Sequence, residues 1–306
     1  MAEACPFLGT EALARGTVTR RSLRSRHDRL HRNVYLEKGA ELTPATRAVA
    51  AWLWSGRQAT LAGFSAAALW GTRWIDPQLP AELYRRNGKP VNGIVVHRDT
   101  LFDDEVLPAR GIPATTPART AFDLGRRGRR LRALMAVDAL ANVTNLQASD
   151  VLSLVERHRG VRGLAQLREI VDLMDSGAES PQETRTRLLL IDSGLHRPQT
   201  QIAVGPWRID MGWDEFKVGV EYDGPQHWTQ RRRRTRDIEK YADLDYRGWR
   251  MVRVNDELLR YRSRVIVVRT CRALSAAGAE WPVIARFSVA VSSALCNSGR
   301  CGRVGE

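Results

Sequence analysis

The sequence predicts an α/β (α+β) protein of more than one domain, on three observations. Apolar residues recur at helical spacing through much of the chain, as at Leu164, Leu167, Ile170, Val171 and Met174. Short β-prone runs, among them Ile94-Val95-Val96-His97 and Trp249–Asn255, interrupt those helices. From about residue 178 the two patterns alternate as αββαβα around one tight hairpin. The 306 residues exceed the ~100–200 of one ordinary domain. They divide into 1–42, a helix-rich α+β region at 43–177, a module at 178–280, and a weakly patterned, flexible tail at 281–306.

The first segment reads as helix, turn, helix, strand. Glu11–Ala14 opens a short helix, Gly16–Thr19 turns, and Thr19 is placed to cap a second helix over Arg20–Leu30. That helix sets Leu23 and Leu30 among Arg20, Arg21, Arg24, Arg26 and Arg29, and Asn33–Leu36 follows as a strand. The order resembles a winged helix-turn-helix, in which Arg21 and Arg24 would meet nucleic acid. A solvated basic helix would look the same. Helices then fit Pro44–Ser55, Ser65–Trp70, Ala118–Leu124, Leu131–Leu140 and Val151–Val155. Pro113–Pro117 reads as an extended connector, and Arg126–Arg130 as a basic elbow.

Ser180-Pro181-Gln182-Glu183 has the marks of a helix start, with a hydroxyl cap, proline at the first position and an acid three residues on. β-rich segments follow at Gln201–Gly212 and Phe216–Asp223, then a helix from Arg231 to Tyr246, a strand over Trp249–Asn255 and a closing helix over Glu257–Ala277.

Charge sets the expected partner. The chain carries 48 Lys+Arg against 34 Asp+Glu, a net +14, and only Lys38, Lys89, Lys217 and Lys240 are lysines. Arginine pairs phosphate bidentately and stacks on bases, so DNA is the expected partner. A GC-rich genome would also favour arginine, which leaves the net charge as the functional signal. Apolar runs such as Ala48–Trp54 fall short of the ~20 residues of a membrane span. The N-terminus has no secretory pattern. Cys5, Cys271, Cys296 and Cys301 are scattered, as free thiols of a reducing, cytoplasmic protein would be.

The segment richest in chemistry is Asp210 together with Glu221-Tyr222-Asp223-Gly224-Pro225-Gln226-His227. Strand alternation points Val218, Val220 and Tyr222 one way and Gly219, Glu221 and Asp223 the other. A turn centred on Asp214-Glu215 sets Asp210 opposite Gly219 and diagonal to Glu221. Acids converging on one face repel unless a cation joins them, and Mg²⁺ or Mn²⁺ suits carboxylates beside a phosphate substrate. The same acids could instead pair with Arg208 or Arg236. The neighbouring run Arg231, Arg232, Arg233, Arg234 and Arg236 supplies phosphate-binding charge.

Glu183, Asp210, Glu221-Tyr222-Asp223-Gly224-x-x-His227, Arg236-Asp237 and Gly248–Val254 resemble the domain of unknown function 559. That family is related to very-short-patch-repair endonucleases of the PD-(D/E)XK, restriction-endonuclease-like superfamily. The resemblance implies a metal-dependent DNA endonuclease-like protein, with Asp210, Glu221 and Asp223 as metal ligands, His227 orienting the attacking water and Glu183 approaching from the first helix. Asp223 stands where the superfamily usually has lysine. Upstream, Thr17–Leu36, Gly63–Gly71 and Gly111–Leu124 resemble AbiEi-like antitoxin and regulator proteins. This resemblance implies the alternative, a non-catalytic DNA-binding regulator of the toxin–antitoxin or phage-defence type that retains a nuclease fold.

Overall fold

The computed structural model describes residues 5–86, 91–224 and 231–282, with residues 231–234 in backbone only. The fold is α+β, in two compact units, Met1–Ser176 and Gly177–Glu306.

The first unit begins with β1 (Phe7–Leu8), α1 (Gly9–Ala14), α2 (Arg20–Arg26), β2 (His27–His31) and β3 (Val34–Glu37), the strands forming a sheet in the order β1-β3-β2. Thr19 caps α2 as its sequence position predicts: Ser22 N–H donates to Thr19 Oγ1 (3.1 Å) and Thr19 N–H to Ser22 Oγ (2.9 Å). The helix stops at Arg26 instead of reaching Leu30, because His27–His31 pairs antiparallel with β3. Leu30 therefore packs from a strand, against the cluster of Val34, Ala50 and Leu53. The elements follow as helix, turn, helix and hairpin, where the sequence reading has helix, turn, helix and one strand.

The remainder of this unit holds more strand than its helical periodicity indicated. After α3 (Pro44–Trp54) come β4 (Thr60–Leu61), α4 (Gly63–Leu69), β5 (Ala81–Tyr84), β6 (Ile94–His97), β7 (Val106–Ala109) and β8 (Ile112–Thr115). These strands form a five-stranded mixed sheet in the order β6-β5-β4-β8-β7. The Pro113–Pro117 connector is thus mostly strand β8, in which Pro113 stands opposite Pro108 of the edge strand β7, while Pro117 opens the next helix. The helices α5 (Pro117–Arg126), α6 (Arg130–Val143), α7 (Ala148–Arg157) and α8 (Leu164–Leu173) complete the unit.

At its centre lies a buried ionic network around Arg119, whose side chain is 1% exposed. The guanidinium donates to Asp123 Oδ2 (3.1 Å), Tyr84 Oη (2.7 Å), the Thr100 carbonyl (3.0 Å) and the carboxylate of Glu105. His158 Nε2 lies 2.5 Å from the other oxygen of Glu105. Fully satisfied donors and acceptors offset the cost of taking these charges out of water.

The second unit consists of α9 (Pro181–Asp192), β9 (Gln199–Val204), β10 (Trp207–Trp213), β11 (Val218–Asp223), α10 (Arg231–Tyr246), β12 (Arg250–Asn255), α11 (Asp256–Tyr261) and α12 (Ser263–Ala276). Its order is αβββαβαα instead of αββαβα. Gly205 (φ 58) and Pro206 turn the chain inside the expected Gln201–Gly212 segment, making two strands of it. The closing helix also divides, at Arg262. The sheet order is β12-β11-β10-β9, with β12 parallel to β11 and the other pairs antiparallel. Val218, Val220, Met211 and Val254 pack with Ile266, Cys271 and Leu274 of α12, while Ile209, Ile202 and Val204 pack with Leu244 of α10.

Arg119→Ala is expected to destabilise the protein by about 3–5 kcal/mol in urea unfolding, because Glu105 and Asp123 would stay buried without their counter-charge. A loss below about 1 kcal/mol, the scale of an exposed pair, would contradict this reading of the network.

Candidate functional site

The acidic cluster of the second unit draws its acids from α9, β10 and β11 and their partners from α10 and β12. Its register differs from expectation: Gly212, not Asp210, is opposite Gly219, with Trp213 opposite Val218 and Met211 opposite Val220. The cause is the turn, where Asp214–Phe216 forms a single 3₁₀ turn and Lys217 takes a left-handed conformation (φ 50). The hairpin loop is therefore two residues longer than a turn centred on Asp214-Glu215. A Cβ on Gly212 would lie 2.3 Å from the Val218 carbonyl oxygen, so the glycine is required there.

Asp210 sits at a break in the ladder. Ile209 pairs with Ile202 and Met211 with Thr200, but no pair joins Asp210 to Gln201, whose backbone is left-handed at φ 53. Ile209 and Met211 consequently pack in opposite cores although they are two residues apart. At the break, Asp210 Oδ2 accepts the Tyr222 N–H at 2.8 Å.

Glu183 stands in the first turn of α9, three residues past its Ser180 cap. Its Oε1 accepts from Ser180 Oγ (2.8 Å), its Oε2 accepts the Glu179 N–H (2.9 Å), and Gln201 Nε2 lies 3.5 Å from Oε2. Burial pushes its carboxyl above the usual range. Glu221 is engaged at both oxygens: Oε1 by the Lys240 ammonium and Oε2 by the Tyr241 hydroxyl at 2.6 Å. Asp223 Oδ2 accepts from Arg253 Nε at 2.8 Å, and the Arg253 guanidinium lies 4.6 Å from the centre of the Tyr241 ring. Arg208 pairs with Glu179 (2.8 Å) and acts on Glu183 only through space, and Arg236 lies 5.9 Å from the centre of the Trp207 ring.

Glu183, Asp210 and Glu221 are thus close enough to influence one another. Burial, then Glu183, pushes the Asp210 carboxyl up to about 8; the Tyr222 N–H and Lys240 oppose that rise and Glu221 adds to it. The arrangement nevertheless does not fit an ion held by Asp210, Glu221 and Asp223. Glu221 has given both oxygens to neighbours, and Asp223 is turned to Arg253. Among the described residues no group of three or more His, Cys, Asp or Glu side chains could hold a metal ion. His227 and the side chains of Arg231, Arg232, Arg233 and Arg234 lie outside the described residues.

Sequence reasoning missed Lys240, Tyr241 and Arg253. The available signal was Lys240 itself, one of four lysines in a chain whose positive charge is otherwise arginine. Its position three residues past Asp237 on α10 gave no indication of which strand it meets.

In the first unit Arg21 and Arg24 are exposed on α2, and Arg29 and Arg32 are exposed on β2 and at its hairpin turn. Among the described residues no ion pair engages any of these four, so their charge faces solvent. Arg126 and Arg127 of the basic elbow pair with Asp99 and Asp123, a structural use. No helix among the described residues is long and apolar enough to cross a membrane.

The Asp210 carboxyl sets a pH dependence. An unfolded aspartate loses its proton near ~3.9, whereas the folded one keeps it to about 8, so folding takes up a proton between these values. The stability associated with this proton is complete below ~3.9 and is lost as pH rises through about 8. Asp210→Asn should flatten that part of the decline in urea midpoint with rising pH; an unchanged profile would contradict the assignment.

Residues 59–173 match the family model for the AbiEi antitoxin C-terminal domain, and the matched stretch lies within the first unit. The chain is similar to the uncharacterized proteins MT2308 of Mycobacterium tuberculosis (strain CDC 1551 / Oshkosh) and Rv2248 of Mycobacterium tuberculosis (strain ATCC 25618 / H37Rv). Each is 29% identical over 227 residues, covering 72% of this chain and 80% of the relative. No solved structure matches. Residues 59–173 of this chain are thus similar to the AbiEi antitoxin C-terminal domain.

Proposed function

We propose that this protein is a DNA-binding regulator of the toxin–antitoxin type, whose second unit resembles a nuclease core but serves without catalysis. The observation that carries this reading is the match of residues 59–173 to the AbiEi antitoxin C-terminal domain. The basic helix and hairpin of the same unit support it, since Arg21, Arg24, Arg29 and Arg32 are among the exposed arginines they carry. An α-helix such as α2, about 10–12 Å across with its side chains, fits a major groove about 12 Å wide. Arg21 and Arg24 then reach phosphates or guanine edges from α2, while Arg29 and Arg32 reach the backbone from the hairpin. In the second unit the pairing of Glu221 with Lys240 and of Asp223 with Arg253 favours a regulator over a metal-dependent hydrolase.

Fluorescence polarisation with labelled duplex DNA across a salt series tests the reading. Each phosphate contact contributes about 0.9 to the slope of log K against log salt, so Arg21→Ala/Arg24→Ala should weaken binding and lower the slope by up to about 1.8. Asp210→Ala should bind as the parent does. Absence of salt-dependent binding would overturn the proposal. Plasmid nicking by the parent with Mg²⁺ or Mn²⁺, abolished by Asp210→Ala, would replace it with a metal-dependent endonuclease.

A further inference from the structure

We propose that the ammonium group of Lys240 is the resident cation of the acidic cluster, so that the second unit holds its carboxylates together without a divalent ion. The geometry points to this in three ways. First, Lys240 Nζ bonds Glu221 Oε1 and donates to the Arg208 carbonyl oxygen at 2.7 Å, which joins α10 to both central strands. Its side chain is 19% exposed and that of Glu221 8%, so the pair is mostly shielded from water and worth more than a surface ion pair.

Second, the remaining acceptors are occupied in a complementary way. Tyr241, the next residue on α10, donates its hydroxyl to the other Glu221 oxygen at 2.6 Å. Arg253 holds Asp223 away from the cluster at 2.8 Å. A divalent ion bound by Glu221 would have to displace the lysine or the tyrosine and would face the ammonium charge at close range. Third, the choice of residue fits the geometry. The chain has four lysines among 48 Lys+Arg, and one stands here. A compact, tetrahedral ammonium can bridge a carboxylate and a single carbonyl, whereas a planar guanidinium suits bidentate partners. This inference concerns the second unit alone and does not depend on DNA binding by the first.

The full-length protein tests it by calorimetric titration with Mn²⁺ at constant ionic strength, using wild type, Asp210→Asn, Lys240→Met and Lys240→Met/Asp210→Asn. Wild type and Asp210→Asn should give the same titration, with no Mn²⁺ site that depends on Asp210. Lys240→Met should melt at a lower temperature and gain a Mn²⁺ site at least ~10-fold tighter than any background binding by wild type. That gain should disappear in the double variant. A saturable wild-type site abolished by Asp210→Asn overturns the proposal, as does Lys240→Met with unchanged melting and no gained site. The comparison of wild type with Asp210→Asn decides the question even if Lys240→Met fails to fold.

Discussion

A charge taken out of water must meet its counter-charge where it is buried, and both units are organised around that constraint. In the first, Arg119 lies under the sheet with Glu105, Asp123, Tyr84 and His158 around it. Strand β5, the turn that precedes β7, helix α5 and the end of α7 are therefore joined by polar and ionic contacts as well as apolar ones. In the second, Glu221 lies beneath α10 and is met there by Lys240 and Tyr241. Arg119, Arg126 and Lys240 are thus internal structure and are not available to a ligand.

This partition changes the meaning of the net +14. Arg119, Arg126 and Arg127 are committed to carboxylates, as is Arg253 in the second unit. Arg21, Arg24, Arg29 and Arg32 are exposed and engaged by no ion pair among the described residues. An electrostatic interface with a polyanion is made from charges of the second kind, because only solvated cations gain by exchanging water and counterions for phosphate. The basic elbow at Arg126–Arg130 and the helix at Arg20–Arg26 look alike in sequence, yet the two carboxylates facing the elbow give it a structural use.

Local signals were legible wherever the physics is local. Thr19 and Ser180 cap helices through their own hydroxyls, and Pro44 and Pro181 occupy first helical turns. The alternation along Val218–Asp223 separated apolar residues from acids correctly, because a strand has period two whatever its neighbours. Interpretation failed where pairing competes with propensity. His27–His31 is helical by its leucine spacing but is recruited into a hairpin by β3, and β8 read as a connector because Pro113 conceals a strand that pairs with both β4 and β7. The register of β10 on β11 depended on a loop whose 3₁₀ turn and left-handed Lys217 leave no clear mark in composition.

The sequence by itself determined which residues are chemically notable: Glu183, Asp210, Glu221 and Asp223 among the acids, and the arginines of the first helical pair among the bases. It did so because residue type and short-range periodicity are properties of the chain alone. Only the tertiary structure decided what each of them meets. Asp210 reaches the Tyr222 N–H through a break in strand pairing opposite Gln201, Lys240 arrives at Glu221 from a helix nineteen residues away, and Arg253 claims Asp223 across a parallel ladder. Counter-charges are chosen by distance in space, which falls off steeply with separation and carries no trace of order along the chain.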